Sequence, residues 1–283
     1  MELVSLGLRI VAQAAFLLRW YSWRWLRGSV KPLSKMPAKR TTQTLRSGSI
    51  PKHAGYRINL GEDWSLEDLY VFPRAYEQVY FFYASLEIDL GGRYRAKIGR
   101  AYEGCPWQGG YSAVNFFNTL KYATPPELRP ILISMHKSSP GYLELGLALA
   151  VAMPLSRVVR HIATTIDTCN NTYINVYKGM IERKLLRLKE KQETLEFQKY
   201  ELDFIKTSSR QMAELLGFRS PAEVDSRTGH PYRTLKLLLS VYRRIRTLSE
   251  YENEKKAWLD EETSAIPTPP SGRRRKQPRR KTA

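Results

Sequence analysis

Positive charge is partitioned along this chain in a way that restricts where a core can form. Residues 1–47 hold nine Lys and Arg against one acid, Glu2, and residues 265–283 hold seven with no acid. Of the formal net charge of +19, the 217 residues between these ends keep only +4. Like-charged ends resist collapse, whereas a nearly balanced body rich in Tyr and Phe can bury apolar surface. With 283 residues, 42% of them hydrophobic, there is material for one or two cored domains.

The front end is more than charge. LVSLGLRIVAQAAFLL is followed by RWYSWRWLRGSVK. On a helix, Glu2, Ser5, Arg9, Gln13, Arg24 and Arg27 share an arc that most of the leucines and valines avoid. A spanning helix needs about 20 largely apolar residues. Arg9, Gln13 and Arg19 break every such window, and an arginine at a helix centre costs about 2.5–3.5 kcal/mol. The pattern fits a helix lying in a membrane surface, with Arg9, Arg19, Arg24 and Arg27 on lipid headgroups and Trp20, Trp23 and Trp25 at their level. Three alternatives stay open: a core helix, an Arg-rich transit peptide, or translation from Met36.

Within the body, Tyr56–Leu60 alternates like a strand. Ser65 with Asp68 makes an approximate capping box. Phe72, Tyr76, Val79, Tyr80 and Tyr83 then follow at helical spacing, with Pro73 expected in the first turn. Leu86, Ile88 and Leu90, then Tyr94, Ala96 and Ile98, alternate about Gly91-Gly92, which predicts a β-hairpin. A helix is expected over 111–122, a strand at Ile131, Ile133 and Met135, and a buried helix over 142–163 that Pro154 kinks or ends. The predicted order, β-α-β-β-α-β and then a helix, is that of a ferredoxin-like α+β domain. RNA-recognition modules share this order, but the third strand, RYRAKIG, lacks their glycine and paired phenylalanines.

From Asn171 to Lys206 there is no proline, and Ile181, Leu188, Leu195 and Leu202 recur every seven residues, with Leu185 beside them. Alternating charges surround this seam. One long helix is predicted, either a coiled coil pairing through these residues or a helix packed within the chain. Met212-Ala213-x-x-Leu216-Gly217-Phe218 resembles the first half of a helix-turn-helix, but Glu223 stands where the second half needs an apolar residue. An amphipathic helix follows through Leu235, Leu238, Leu239, Tyr242, Ile245 and Leu248, flanked by Arg243, Arg244 and Arg246. The tail, with Arg273, Arg274 and Arg275, has the composition of a disordered polybasic segment.

The organisation expected is therefore a 1–35 surface segment, a 36–55 linker, a 56–165 α+β domain, a 166–260 helical region and a 261–283 basic tail. Two cysteines argue for a reducing, cytoplasmic compartment rather than a disulfide-built secreted domain. No phosphate-cradling loop, nucleophile elbow or zinc-binding histidine pair occurs, so no cofactor, metal or small-molecule substrate is expected. The best isolated nucleophile is Cys105, in the loop EGCPWQGG. The reading these features favour is a non-enzymatic binding or assembly protein. It associates with a second helix, of its own kind or another protein's, and attaches through its basic ends to an anionic surface, a membrane first of all. The alternative is nucleic-acid binding through Arg243, Arg244, Arg246 and the tail. Catalysis at Cys105 is the distant third.

Overall fold

The structure is a computed structural model, and it describes residues 54–88, 90, 92–104, 112–138, 141–187 and 198–259. It is mixed helix and strand, with several helices against a small antiparallel sheet. Strand β1 (Ala54–Leu60) leads into helices α1 (Asp68–Glu87), α2 (Gly92–Glu103) and α3 (Ser112–Ala123). Strands β2 (Ile131–His136) and β3 (Gly141–Leu147) follow, then α4 (Leu149–Thr164) and α5 (Ile166–Glu182). Helices α6 (Lys199–Leu215), α7 (Ala222–Thr228) and α8 (Pro231–Asn253) precede a short β4 (Ala257–Trp258). The sheet order is β2-β3-β1-β4, each neighbour antiparallel.

The ferredoxin-like order is not followed: three helices separate β1 from β2, and the last strand arrives from the far end of the chain. The predicted hairpin about Gly91-Gly92 is instead the junction of α1 and α2. Short apolar runs satisfy both periods, and here the helical one wins, because Ile98, Ala101 and Tyr102 form a buried stripe at helical spacing. The Tyr102 hydroxyl meets Ser85 Oγ at 2.7 Å and ties α2 back onto α1. The helix expected over 142–163 begins at Leu149. Before it, Tyr142 to Leu145 alternate and pair with β1 from Gly141 to Leu147. Pro154 neither ends α4 nor stands at its start. Pro73 lies inside α1 rather than in its first turn.

The continuous helix expected over Asn171–Lys206 is broken after Glu182. Lys184 takes a left-handed φ of 56°, a 3-10 turn spans Leu185–Arg187, and α6 starts afresh at Lys199. Leu185 is fully buried, and the Tyr232 hydroxyl donates to its carbonyl. Gly179 lets α5 meet α6 closely, since a Cβ there would sit 2.6 Å from the Phe204 ring. At the other end of α6, the Phe218 amide bonds the Ala213 carbonyl at 2.9 Å and the Gly217 amide bonds that of Glu214 at 3.0 Å. With Gly217 at φ 77°, this is a glycine-terminated Schellman cap.

One buried cluster runs from Tyr56 to Leu259, so the segments read as an α+β domain and a helical region share a core. Helix α8 is its axis and packs on α4, α1 and α6. The stripe read from sequence, Leu235 to Leu248, is buried, and so are Leu237, Val241 and Tyr251. The apolar residues of α8 face the neighbouring helices, and its Arg, Lys and Glu residues take the remaining positions.

Both ends of this body meet at Asp68. The reciprocal bonds of the capping box are present: Ser65 N donates to Asp68 Oδ2 at 2.8 Å, and Asp68 N to Ser65 Oγ at 3.1 Å. The same carboxylate accepts from the Tyr251 hydroxyl at 2.8 Å and from Lys256 Nζ at 3.3 Å. Lys255, at φ 57°, turns the chain after α8 so that the Lys256 carbonyl accepts from Gly61 N at 2.8 Å and Trp64 Nε1 at 2.7 Å. Burial would raise the Asp68 carboxyl, but the bonds from Ser65, Tyr251 and Lys256 outweigh it and hold the group well below the usual carboxylate range. Asp68→Ala is expected to destabilise the fold by about 2–3 kcal/mol in urea titration, since it strands the Tyr251 hydroxyl and removes the cap. The carboxyl titrates below its unfolded value of about 3.9. Its contribution is thus complete above that pH and is lost as pH falls below it, a loss absent from Asp68→Asn.

Candidate binding groove

Helices cover the core side of the sheet unevenly. Tyr56, Ile58 and Leu60 of β1 are buried beneath them, whereas β2 at the sheet edge is not. A groove of about 560 Å³ lies between α1 and the core-side face of β2 and β3. Leu69 and Pro73, one helical turn apart, form one wall with Tyr70 beside them. Leu143, Leu145 and Leu132 form the floor, with the buried Ile58 beneath it. Leu132 faces Leu145 across the β2–β3 ladder, and Met135 faces Leu143. The register shifts between Leu132 and Ser134, so Ile133 is the extra residue of a bulge.

One end of the groove is polar, with Arg74, Glu77 and Gln78 from α1 and Asn118 from α3. Glu77, the acid of this lining, is already paired with Lys121 at 2.7 Å. Arg74 is exposed and donates to the Tyr70 hydroxyl. Behind Gln78 stands Arg244 of α8. Its Nε donates to Gln78 Oε1, and its Nη1 donates to the carbonyl and hydroxyl of Ser240 at 2.7 and 2.8 Å. The guanidinium lies 4.1 Å from the centre of the Phe117 ring. Each of these partners is neutral, and among the described residues no carboxylate pairs with Arg244. Burial, then the charges of Arg243 and Arg74, push its pKa down to about 9, so the group stays cationic at neutral pH.

The outward face of the sheet is a second surface. The Arg57 guanidinium lies 4.3 Å over the Tyr142 ring, and His136 stacks on that ring at 5.5 Å. Glu144 lies across from Arg57 and accepts from Ser134 Oγ at 2.8 Å. Trp258 stands opposite Asn59.

Among the described residues, those singled out from sequence are not brought together. Arg9, Arg19, Trp20, Trp23, Arg24, Trp25, Arg27, Cys105, Leu188, Leu195, Arg273, Arg274 and Arg275 lie outside the described residues. Of the seam, Ile181 is exposed, Leu202 is half-buried, and Leu185 is consumed by the core. Arg243 is exposed, Arg244 turns inward, and Arg246 pairs with Glu250 at 2.8 Å. The three arginines therefore do not present one basic face. Cys169 is buried, which raises its thiol pKa against an opposing bond from Thr165. Among the described residues, no group of His, Cys, Asp or Glu is placed to hold a metal, and no helix is long and apolar enough to cross a membrane. The groove escaped sequence reading because its walls come from α1, β1, β2 and β3, and the alternation of β2 looked like an ordinary half-buried strand.

No family model, curated protein or solved structure matches the chain. Its class rests on this geometry: an α+β body with an open groove and an uncovered sheet edge.

Arg244 has neutral hydrogen-bond partners and is repelled by Arg243 and Arg74, so the fold stabilises it through hydrogen bonds and packing rather than through an ion pair. Arg244→Met, which keeps most of the side-chain volume but leaves Gln78 and Ser240 without their donor, is expected to cost about 1 kcal/mol in urea titration. Arg244→Ala also loses the packing on Phe117 and should cost about 1–2 kcal/mol by the same urea titration.

Proposed function

We propose that this chain is a non-enzymatic assembly protein that associates with a second copy of itself through strand β2. The observation that carries this reading is the state of that edge. Ile131, Leu132, Ile133 and Met135 are 51%, 60%, 41% and 45% exposed, and Ile131–His136 contains neither Lys, Arg, Asp, Glu nor Pro. Edge strands are ordinarily guarded by charge or proline. Of the common guards, this one carries only the bulge at Ile133. An unguarded apolar edge is a template for strand addition. Because the strand is uncharged, two copies can pair there without opposing like charges, although the whole chain carries +19. Strand pairing replaces the helix seam as the means of association, since Leu185 of that seam is buried in its own chain. Pairing through 188–202 stays a subsidiary route.

The basic ends complete the proposal: residues 1–35 and 261–283 attach the assembly to an anionic membrane surface. The amphipathic Arg-Trp pattern at the front and the charge of the tail would supply the two signals that stable peripheral anchoring needs. A second reading, nucleic-acid binding, draws support from the outward sheet face, where Arg57, Tyr142 and His136 form a cationic aromatic stack.

Sedimentation velocity of the full chain is expected to give a concentration-dependent dimer. Ile131→Lys combined with Ile133→Lys should return it to monomer with unchanged far-UV dichroism. A wild type that stays monomeric at its highest soluble concentration would sink the assembly reading. Flotation with anionic liposomes is expected to weaken by about tenfold or more when 1–35 is deleted. Unchanged flotation, together with single-stranded RNA binding lost on Tyr142→Ala, would favour the second reading.

A further inference from the structure

We propose that the groove between α1 and the β2–β3 face binds a single-chain anionic amphiphile: an apolar chain lies along the floor, and its carboxylate or phosphate head is held at the Arg74 end. This ligand site is separate from strand pairing, which uses the outer edge of β2 rather than its core-side face.

Two properties of the groove define its occupant. The floor and one wall are aliphatic over most of their length, from Leu69 and Pro73 to Leu143, Leu145 and Leu132. At about 560 Å³ the space falls in the range typical of small-molecule sites, which are apolar with a few polar groups that fix orientation. The polar end has a surplus of positive charge. Its acid, Glu77, is neutralised by Lys121 at 2.7 Å. Arg74 at the mouth bonds only a tyrosine hydroxyl, and Arg244 behind Gln78 bonds only neutral acceptors. A guanidinium withdrawn from water without an anion is poorly compensated, and a bound anion supplies what the fold does not. The fork of an arginine also matches the paired oxygens of a carboxylate or phosphate.

Gln78 couples the two cations to the site. Its side chain lines the groove while its Oε1 holds the Arg244 Nε. A head group at the groove's end thus meets Arg74 directly and feels Arg244 across the amide, with Asn118 as a neutral donor at the rim. A neutral chain would fill the floor and leave both charges uncompensated. A cationic chain would be repelled. A free anion would forgo the apolar contact.

Calorimetric titration of the full chain with decanoate below its micellar concentration tests this, with decanol, decyltrimethylammonium and inorganic phosphate as parallel probes. The expected result is one site per chain for decanoate, and binding at least about tenfold weaker for the other three. Arg74→Gln should weaken decanoate by about tenfold, as for loss of one charge-assisted contact, and Arg74→Gln with Arg244→Met should weaken it further. Leu132→Asp, at an exposed floor position, should also weaken decanoate. If Arg244→Met fails to fold, Arg74→Gln and Leu132→Asp decide the matter by themselves. The proposal is overturned if decanoate does not bind, if phosphate binds as tightly as decanoate, if the cationic amphiphile binds as well, or if Arg74→Gln leaves the affinity unchanged.

Discussion

The mutual burial of α1 and α8 is the constraint on which the rest of this structure depends. These helices are far apart in sequence: Asp68 and the Tyr251 that donates to it are 183 positions apart. Each presents a broad apolar face that the other helps to cover, and helical stability in a protein comes mostly from such tertiary packing. Once they pack, β1 is positioned ahead of α1 and β4 beyond α8, and the sheet closes on its second edge. The Asp68 carboxylate pins that closure by caring for the first turn of α1 and the last turn of α8 at once. The aromatic rings of Trp64, Phe72 and Tyr251, with centroids 5.3–5.7 Å apart, exclude water from the junction.

That arrangement also explains what is left uncovered. α1 meets β1 where Tyr76 stacks on Tyr56, and the groove lies between α1 and the β2–β3 face. The sheet therefore ends in an apolar edge and an apolar furrow, and the polar groups of α1 that would otherwise face solvent line the furrow's end. Arg244 arises from the same geometry. It sits on the axial helix where α1 and α3 converge, and those helices offer it an amide and a phenyl ring rather than a carboxylate. The proposed assembly edge and the proposed ligand furrow would be two uses of one incomplete layer.

Much of the local structure is legible in the sequence. The Ser65–Asp68 cap, the α1 ring stripe, β1 and the strand at Ile131–His136 all follow from short-range rules that the neighbours do not overturn. The failures share a cause. Around Gly91-Gly92 and at Tyr142–Leu147 the residues satisfy both a period of two and a helical period, and the choice is made by a partner distant in the chain. For 94–102 the partner was α1, which favoured helix; for 142–147 it was β1, which favoured strand. The single continuous helix expected over Asn171–Lys206 failed likewise, because the chain turns at Lys184 and Leu185 is buried in the core.

From its sequence alone this chain is determined to have a nearly neutral, aromatic-rich body between two basic ends, and to start its first long helix at the Ser65–Asp68 cap. Charge and capping act over a few residues and need no partner. Only the tertiary structure decided that the body has one core rather than two, that α8 is its axis, and that a groove lined by Arg74, with Arg244 behind it and neither paired with a carboxylate among the described residues, opens beside an unguarded strand. Those features are made by surfaces that meet across more than a hundred residues of chain, and which of several compatible faces meet is settled by the packing of the whole.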